Sequence, residues 1–303
     1  MMLLYFKVAN HYNIIDRPNE RSSHKGITIR GGGVVFLFAA IVAVIIHSEF
    51  WIEILGMFII GIISFIDDRI TLSGKIRIVF HLIAVTLLFI SLGVFNIFSW
   101  WISTILYILV IGIINAYNFM DGINGITGAY SLVILGGLQY VNMHISFFIH
   151  PDMIWLPILS VIIFLFFNFR KKAVCFAGDV GSVTMAFWII FLLLKLILKT
   201  ENYTYILFLA IYGVDAILTI IHRLRLGQNI FDAHRLHLYQ LLANERGYPQ
   251  LLVSAIYAFL QLTIVIIVVF SPVSFMNMFI LIILPLVGLY VLIKSYILNK
   301  SGV

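Results

Sequence analysis

Ten apolar runs, separated only by short polar stretches, leave this chain few ways to fold: 34–47, 50–66, 76–95, 100–119, 126–141, 153–169, 183–198, 203–221, 251–270 and 275–297. A bilayer core asks for roughly 20 apolar residues per helical span, because every backbone N–H and C=O must be satisfied inside the segment. Hydrophobic residues make up 62% of the 303 and charged residues 11%, with a mean hydropathy of +1.10. No water-soluble domain of this length buries so much apolar surface. Ile, Leu and Phe recur without sustained period-two alternation, which points to helices and away from a barrel. The expected fold is all-α: a polytopic integral membrane bundle of about ten transmembrane helices. Run 34–47 is short and is expected to begin among the preceding glycines. No linker, low-complexity stretch or internal repeat divides residues 1–303, so a single integral domain is expected. Met1–Phe6 reads like the closing turns of a transmembrane helix, which raises the expectation of a first helix ahead of it.

Nearly all the polar chemistry falls in five loops, 13–33, 67–75, 115–128, 170–182 and 222–250, which ten spans place on one side together with both ends. Of the 19 Lys and Arg residues, only Lys195 and Lys199 fall on the other side. The positive-inside rule therefore makes the polar side cytoplasmic. The net charge of +6 is then a topology signal, helped by anionic headgroups, and gives no ground for a nucleic-acid partner. Cys175, the single cysteine, can form no internal disulfide and reads as a small packing residue.

The loops carry distinct candidates. Asp67 and Asp68 end the run 50–66 beside Arg69 and Lys75. Paired carboxylates at an interface must be solvated, paired or bound to metal, and local charge pairing competes with catalysis here. Asn115, Asn118 and Asp121 are spaced by three, which on a helix gives them one face, and Gly122 and Gly125 let the backbone approach a ligand. A structural turn explains those glycines but not two amides and a carboxylate in line. Asp179 and Ser182, directly before the run 183–198, sit where a helix amino terminus offers N–H groups to an anion; ordinary N-capping competes.

His234, Arg235 and His237 form a cationic segment that suits a phosphate clamp, against an amphipathic helix as the plain alternative. It is not a zinc pattern. Arg21-Ser22-Ser23-His24 and Arg30-Gly31-Gly32-Gly33 make a basic loop leading into a span, where glycines also serve as packing residues. Asp215 lies inside the run 203–221; an intramembrane carboxylate marks function or a hydrogen bond to a neighbouring helix. His81 reads as a packed, neutral residue.

Taken together and in this order, these loops resemble the polyprenyl-phosphate N-acetylhexosamine-1-phosphate transferase family over about residues 10–270. The carrying residues are Arg21–His24 with Arg30–Gly33, Asp67-Asp68 with Lys75, Asn115–Gly125, Gly178–Ser182, Asp215 and Arg223–His237. The resemblance implies transfer of a sugar 1-phosphate from a UDP-N-acetylhexosamine to undecaprenyl phosphate, releasing UMP, with Mg²⁺ or Mn²⁺ as cofactor. It implies Asp179 and Asp68 as metal ligands and Asp121 close to the metal and phosphates, with Asp67 positioning or deprotonating the lipid phosphate. Lys75, His237, His234 and Arg235 would balance diphosphate charge, Phe176 would stack on uracil, and Asn115, Asn118 and Asn124 would supply polar contacts. A groove between spans near Asp67 would admit the isoprenoid tail. The bacterial cytoplasmic membrane, an active site facing the cytoplasm and a homodimer belong to the same expectation.

Two departures shift the comparison. Many relatives read Asp-Gly-x-Asp-Gly where this chain has Asn124, and positions 239 and 240 are Tyr and Gln where further histidines are common. Both point toward the branch that initiates O-antigen or capsule glycans, and to a sugar other than plain GlcNAc, such as GalNAc or a deoxy-amino sugar. A secondary transporter using Asp215 as a proton or ion site is the competing class, although transporters bind near the midplane and within repeats. A CDP-alcohol transferase fails on motif, because Asp121-Gly122 lacks the following Ala-Arg.

Overall fold

A computed structural model describes residues 1–16, 26–229 and 234–301. The apolar runs are helical, as backbone satisfaction in lipid demands. Helix α1 (Met2–His11) leads to two short antiparallel strands, β1 (Ile15–Asp16) and β2 (Thr28–Ile29), with Ile15 opposite Ile29. There follow α2 (Val34–Ile46), α3 (Trp51–Ile70), α4 (Gly74–Ser91), the short α5 (Val94–Ile97), α6 (Trp100–Phe119), α7 (Ile126–His144) and α8 (Asp152–Asn168). The chain continues through α9 (Gly178–Thr200), α10 (Ala210–Arg225), the single-turn α11 (Leu238–Gln240), α12 (Gln250–Phe270) and α13 (Phe275–Ser301). Among the described residues, 7 helical segments are long and apolar enough to cross a membrane. The chain is a polytopic all-α membrane protein.

Helices α2 and α8 are shorter apolar helices. Helix α7 carries more polar residues because it runs inside the bundle: Thr127, Ser131, Gln139 and Asn142 are all buried along it. Asn142 spends its amide on the loop beyond the helix, donating to the Ile149 carbonyl and accepting from the Phe148 and Ile149 N–H groups. Of the seven spans, α9 is the most enclosed and α13 the least. Midway along the bundle, Gln261 of α12 accepts from Tyr130 and the Ile211 N–H and donates to the Leu207 carbonyl. That amide satisfies backbone at the junction where a 3₁₀ segment (Tyr203–Leu209) becomes α10.

Several helix boundaries differ from expectation, and the differences build the site. Helix α3 extends to Ile70, so Asp67 and Asp68 lie in its last turn. Helix α9 begins at Gly178, five residues ahead of the apolar run, so Asp179 and Ser182 belong to its first two turns. The starts of α2 and α9 touch: a Cβ at Gly33 would overlap the Gly181 Cα, so only glycine permits this approach. The start of α2, the ends of α3, α6, α8 and α10, and the starts of α7 and α9 gather at one end of the bundle. The α2–α3 and α7–α8 loops lie at the other.

Candidate active site

The site is organised by one carboxylate that caps another helix. Helix α9 has no side-chain cap of its own; Ala177 stands at the N-cap position. Asp68 of α3 reaches across instead, its Oδ1 accepting from the Asp179 N–H at 3.1 Å and its Oδ2 from the Val180 N–H at 3.2 Å. An anion at the positive end of a helix dipole is stabilised by both the N–H groups and the field. Gly178 is required there twice over: its φ is +70°, and a Cβ would run into Asp68 Oδ2. Ordinary N-capping by Asp179 or Ser182 is therefore not what this helix uses.

Capping by Asp68 places the Asp179 carboxylate beside it, and Arg30 joins the two. Its Nη2 stands 2.7 Å from Asp68 Oδ1 and 3.7 Å from Asp179 Oδ1. The Asp68 side chain is fully buried, whereas that of Asp179 keeps 24% of its surface accessible. Asp121, just past the end of α6, completes the acidic group. Burial pushes its carboxyl up to about 6, the Asp179 charge adds to that, and the Thr127 hydroxyl and Arg30 hold it back. Among the described residues, Arg30 pairs with Asp68 and Asp179 and lends its charge to Asp121 from further off, so carboxylates outnumber their paired cations there. All the donors are oxygens, with no thiol or imidazole among them, which suits a hard divalent cation.

Around this centre Asn118 accepts a 2.7 Å hydrogen bond from the buried Ser182 hydroxyl, tying α6 to α9. Asp67 points elsewhere: it accepts from the Leu72 N–H and pairs with Arg77 Nη1 at 3.2 Å. Arg77 is thus its partner, in place of the expected Arg69 or Lys75; Arg69 donates to the Tyr12 carbonyl and Lys75 is exposed. Asn115 returns its amide to the Ile111 carbonyl, one turn back in α6. Asn124 is buried and donates to the Arg170 carbonyl, while its own carbonyl accepts from Ser254. Phe176 is pinned through its backbone, its N–H to Ile29 and its carbonyl from Gly32, 2.8 Å each. Burial pushes the neighbouring Cys175 thiol up to about 12, as a packing residue requires.

Asp215 forms a second, separate centre. Its Oδ1 accepts from Thr219, from His237 Nδ1 at 3.2 Å and from the Leu238 N–H at 3.0 Å. Its Oδ2 accepts from the Tyr239 N–H and, at 2.7 Å, from Tyr257 of α12. The loop 234–240 is therefore fastened to α10 and α12 through one carboxylate. A group so fully engaged is a structural latch, which removes the basis for reading it as a transport site. His237 is the N-cap of α11 in a capping box with Gln240, and its buried Nε2 has no partner among the described residues. Tyr239 crosses to the Phe119 carbonyl, bringing this loop against the end of α6 that precedes Asp121.

His234 and Arg235 are half-buried on the same loop. Burial first, then the charges of His237, Arg223 and Lys294, push His234 down to about 4, so it is neutral at pH 7 and contributes no cationic charge to a clamp. Lys294 of α13, read from sequence only as a topology marker, donates to the Leu236 carbonyl at 2.8 Å and to Tyr290 at 2.7 Å. Arg30 was noted only as part of a basic loop; the signal that marks it is its place directly before three glycines and an apolar helix. The motif Arg21–His24 and the segment Phe231–Ala233 lie outside the described residues. An apolar groove of about 670 Å³ is lined by residues of α7, α8 and α12, with Arg170 on its rim and no residue of α3.

Comparison with known proteins identifies the family. Residues 50–197, from the start of α3 to within α9, match the family described as Glycosyl transferase family 4. The chain is 30% identical over 261 residues to the undecaprenyl-phosphate alpha-N-acetylglucosaminyl 1-phosphate transferase of Salmonella typhi, covering 78% of this chain and 70% of that protein. The protein of the same name from Escherichia coli K12 is 27% identical over 271 residues, 80% of this chain and 72% of its own. A probable undecaprenyl-phosphate N-acetylglucosaminyl 1-phosphate transferase of Bacillus subtilis is 26% identical over 258 residues, 78% and 71% of the two chains. With a matched segment that contains Asp67, Asp68, Asp121 and Asp179, the chain belongs to glycosyl transferase family 4 and is a glycosyl-1-phosphate transferase.

Proposed function

We infer that the chain transfers an N-acetylhexosamine 1-phosphate from its UDP-sugar to undecaprenyl phosphate, giving the lipid diphosphosugar and UMP. The bond that forms joins an oxygen of the lipid phosphate to the phosphorus carrying the sugar; the bond that breaks joins that phosphorus to the UMP oxygen. Both reactants are anionic, so the chemistry asks mainly for positioning and charge compensation. The observation that carries the reading is the acidic centre at the α9 amino terminus, where Asp68, Asp121 and Asp179 gather around Arg30.

Asp179 and Asp68 would hold Mg²⁺ or Mn²⁺, with Asp121 beside them. When bound, the cation supplies charge to the diphosphate and its leaving oxygen. Arg30 holds the two ligand carboxylates together. Because Asp68 is fixed by two backbone N–H groups, the pair cannot separate under mutual repulsion. The Nε2 of His237, without a partner among the described residues, suits a phosphate oxygen, with Asp215 fixing the ring through Nδ1. A phosphate's second pKa near 6 leaves the lipid phosphate largely dianionic at neutral pH, so no strong base is required of Asp67.

The relatives' names favour UDP-GlcNAc as donor, whereas Asn124, Tyr239 and Gln240 favour another N-acetylhexosamine and a role in O-antigen or capsule initiation. The basic loops at the site's end support a cytoplasmic face in a bacterial inner membrane. The test is UMP release by the purified chain with undecaprenyl phosphate, Mg²⁺ and a panel of UDP-N-acetylhexosamines. Release that requires lipid, cation and Asp179 is expected; its absence with every sugar, from folded protein, would overturn the reading.

A further inference from the structure

The end of the bundle opposite the acidic centre carries a second cluster that the transferase reaction does not use. Among the described residues, His47, His150 and Asp152 bring one ligand atom each to within 4.8 Å of one another. His47 follows α2, His150 precedes α8, and Asp152 opens α8. The cluster lies about 20 Å from Arg30 along α2, at a rise of 1.5 Å per residue. His47 Nε2 stands 3.1 Å and His150 Nδ1 3.3 Å from the same atom, Asp152 Oδ2. The two imidazoles face each other with centroids 3.9 Å apart. On its other side, His47 Nδ1 meets Glu49 Oε1 at 3.3 Å.

This arrangement needs a cation. A neutral imidazole has one N–H, yet both ring nitrogens of His47 face a carboxylate. Without a bound positive charge, one nitrogen lone pair would point at a carboxylate oxygen. An imidazolium resolves this, and so does a metal on Nε2 with the Nδ1–H donating to Glu49. The second solution has the carboxylate–histidine–metal form in which an outer carboxylate fixes the tautomer. The two edges that end on Asp152, 3.1 and 3.3 Å, are compatible with it: metal–ligand bonds of 2.0–2.2 Å in a tetrahedron put neighbouring ligands about 3.3–3.5 Å apart. His47 is mostly buried, Asp152 half-buried and His150 exposed, so the site is anchored on one side and open on the other.

We propose that His47, His150 and Asp152 form a binding site for a divalent transition metal such as Zn²⁺, with Glu49 orienting His47, on the face opposite the transferase centre. Two imidazoles and a carboxylate suit Zn²⁺ and disfavour Mg²⁺, and three protein ligands leave a fourth position for water. The ion clamps the loop after α2 to the start of α8, helices that already pack through Phe36 and Phe164. The site is independent of the transferase reading, and its test reads metal binding.

The full chain, stripped of metal in detergent, is titrated with Zn²⁺ in excess Mg²⁺, and with Co²⁺ for its visible absorption. The wild-type chain is expected to take up about one Zn²⁺ that Mg²⁺ does not displace, and to give the intense bands of tetrahedral Co²⁺. His150→Ala and, separately, Asp152→Asn should weaken that binding at least about 100-fold, with UMP release changed less than twofold. His150 is exposed and Asp152 half-buried at the start of α8, so both variants should keep the fold, which a melting scan checks. Asp179→Asn should leave the Zn²⁺ site intact. Zn²⁺ uptake that is absent from the wild type, or unchanged in His150→Ala, would overturn the proposal and leave an imidazolium pair in its place.

Discussion

Two carboxylate centres lie near the same end of this bundle, and they are built in opposite ways. Asp215 accepts five hydrogen bonds from Thr219, His237, Leu238, Tyr239 and Tyr257, so its charge is spread over donors that would otherwise go unmet. Asp68, Asp121 and Asp179 crowd one another around Arg30, which among the described residues pairs with Asp68 and Asp179. Burying a charge is tolerable when it is fully hydrogen-bonded and costly otherwise. The first arrangement holds a structure together; the second holds negative charge ready for a cation and a diphosphate. Burial alone does not mark a functional carboxylate. What marks it here is the imbalance between acids and donors.

That contrast is broken most directly by exchanging charge for shape. Asp179→Asn should lower turnover by about 10³-fold, the scale of losing a principal electrostatic group, while the thermal midpoint in detergent moves by no more than about 2 °C. Steady-state UMP release and a melting scan on the same preparation read both. Asp215→Ala should show the reverse emphasis. It leaves His237, two backbone N–H groups and Tyr257 without their acceptor, for a loss of about 3–5 kcal/mol of stability. Its thermal midpoint should fall by more than that of any single variant at the acidic centre. If the two substitutions destabilise equally, the division between latch and reaction centre is wrong.

The two regions also differ in how far they could be read from sequence. Carboxylates in apolar surroundings are conspicuous, so Asp67, Asp68, Asp121, Asp179 and Asp215 stand out without a structure. Gly178-Asp179-Val180-Gly181-Ser182 reads as a loop because glycine and aspartate disfavour helix interiors. The helix starts there all the same, because its cap comes from Asp68, 111 residues earlier. Arg30 reads locally as part of a basic loop before three glycines; its pairing with Asp68 and Asp179 is remote and comes only from the fold. The roles of Tyr257 and Lys294 in holding the 234–240 loop depend likewise on packing between distant helices. His47, His150 and Asp152 become a cluster only when α2 and α8 are laid side by side. Local pattern gives the spans and the reactive residue types; pairings across the bundle come from the fold.

Asp121 sharpens the comparison by pH. Its carboxyl is pushed up to about 6 by burial and then by Asp179, so the folded chain holds this proton more tightly than the unfolded one. The contribution of Asp121 to stability therefore falls as pH rises from the ordinary aspartate range to about 6, and above that the cost of the charge is fully present. In EDTA at pH 7.5, Asp121→Asn should raise the thermal midpoint by about 2 °C; at pH 5 the gain should shrink to about half, and it should vanish only near pH 4. Turnover with Mg²⁺ should fall in the same variant. A loss of stability at pH 7.5 would mean that Asp121 is a latch like Asp215.

The smallest effect is expected at His234, which shares a loop with His237 but not its anchoring carboxylate. Burial and the neighbouring His237, Arg223 and Lys294 push His234 down to about 4, so between pH 5.5 and 8 it carries no charge to offer a diphosphate. His234→Gln keeps a polar side chain of similar reach and should change KM for either substrate by less than about threefold, with the pH profile unmoved. A cationic clamp at this position predicts something else: a rise in KM that is largest at low pH, where the imidazolium would have helped most. That pattern would shift charge compensation from Arg30 and a bound cation to the 234–240 loop. The Asp215 latch would then serve to aim a cation at the substrate as well as to fasten the loop.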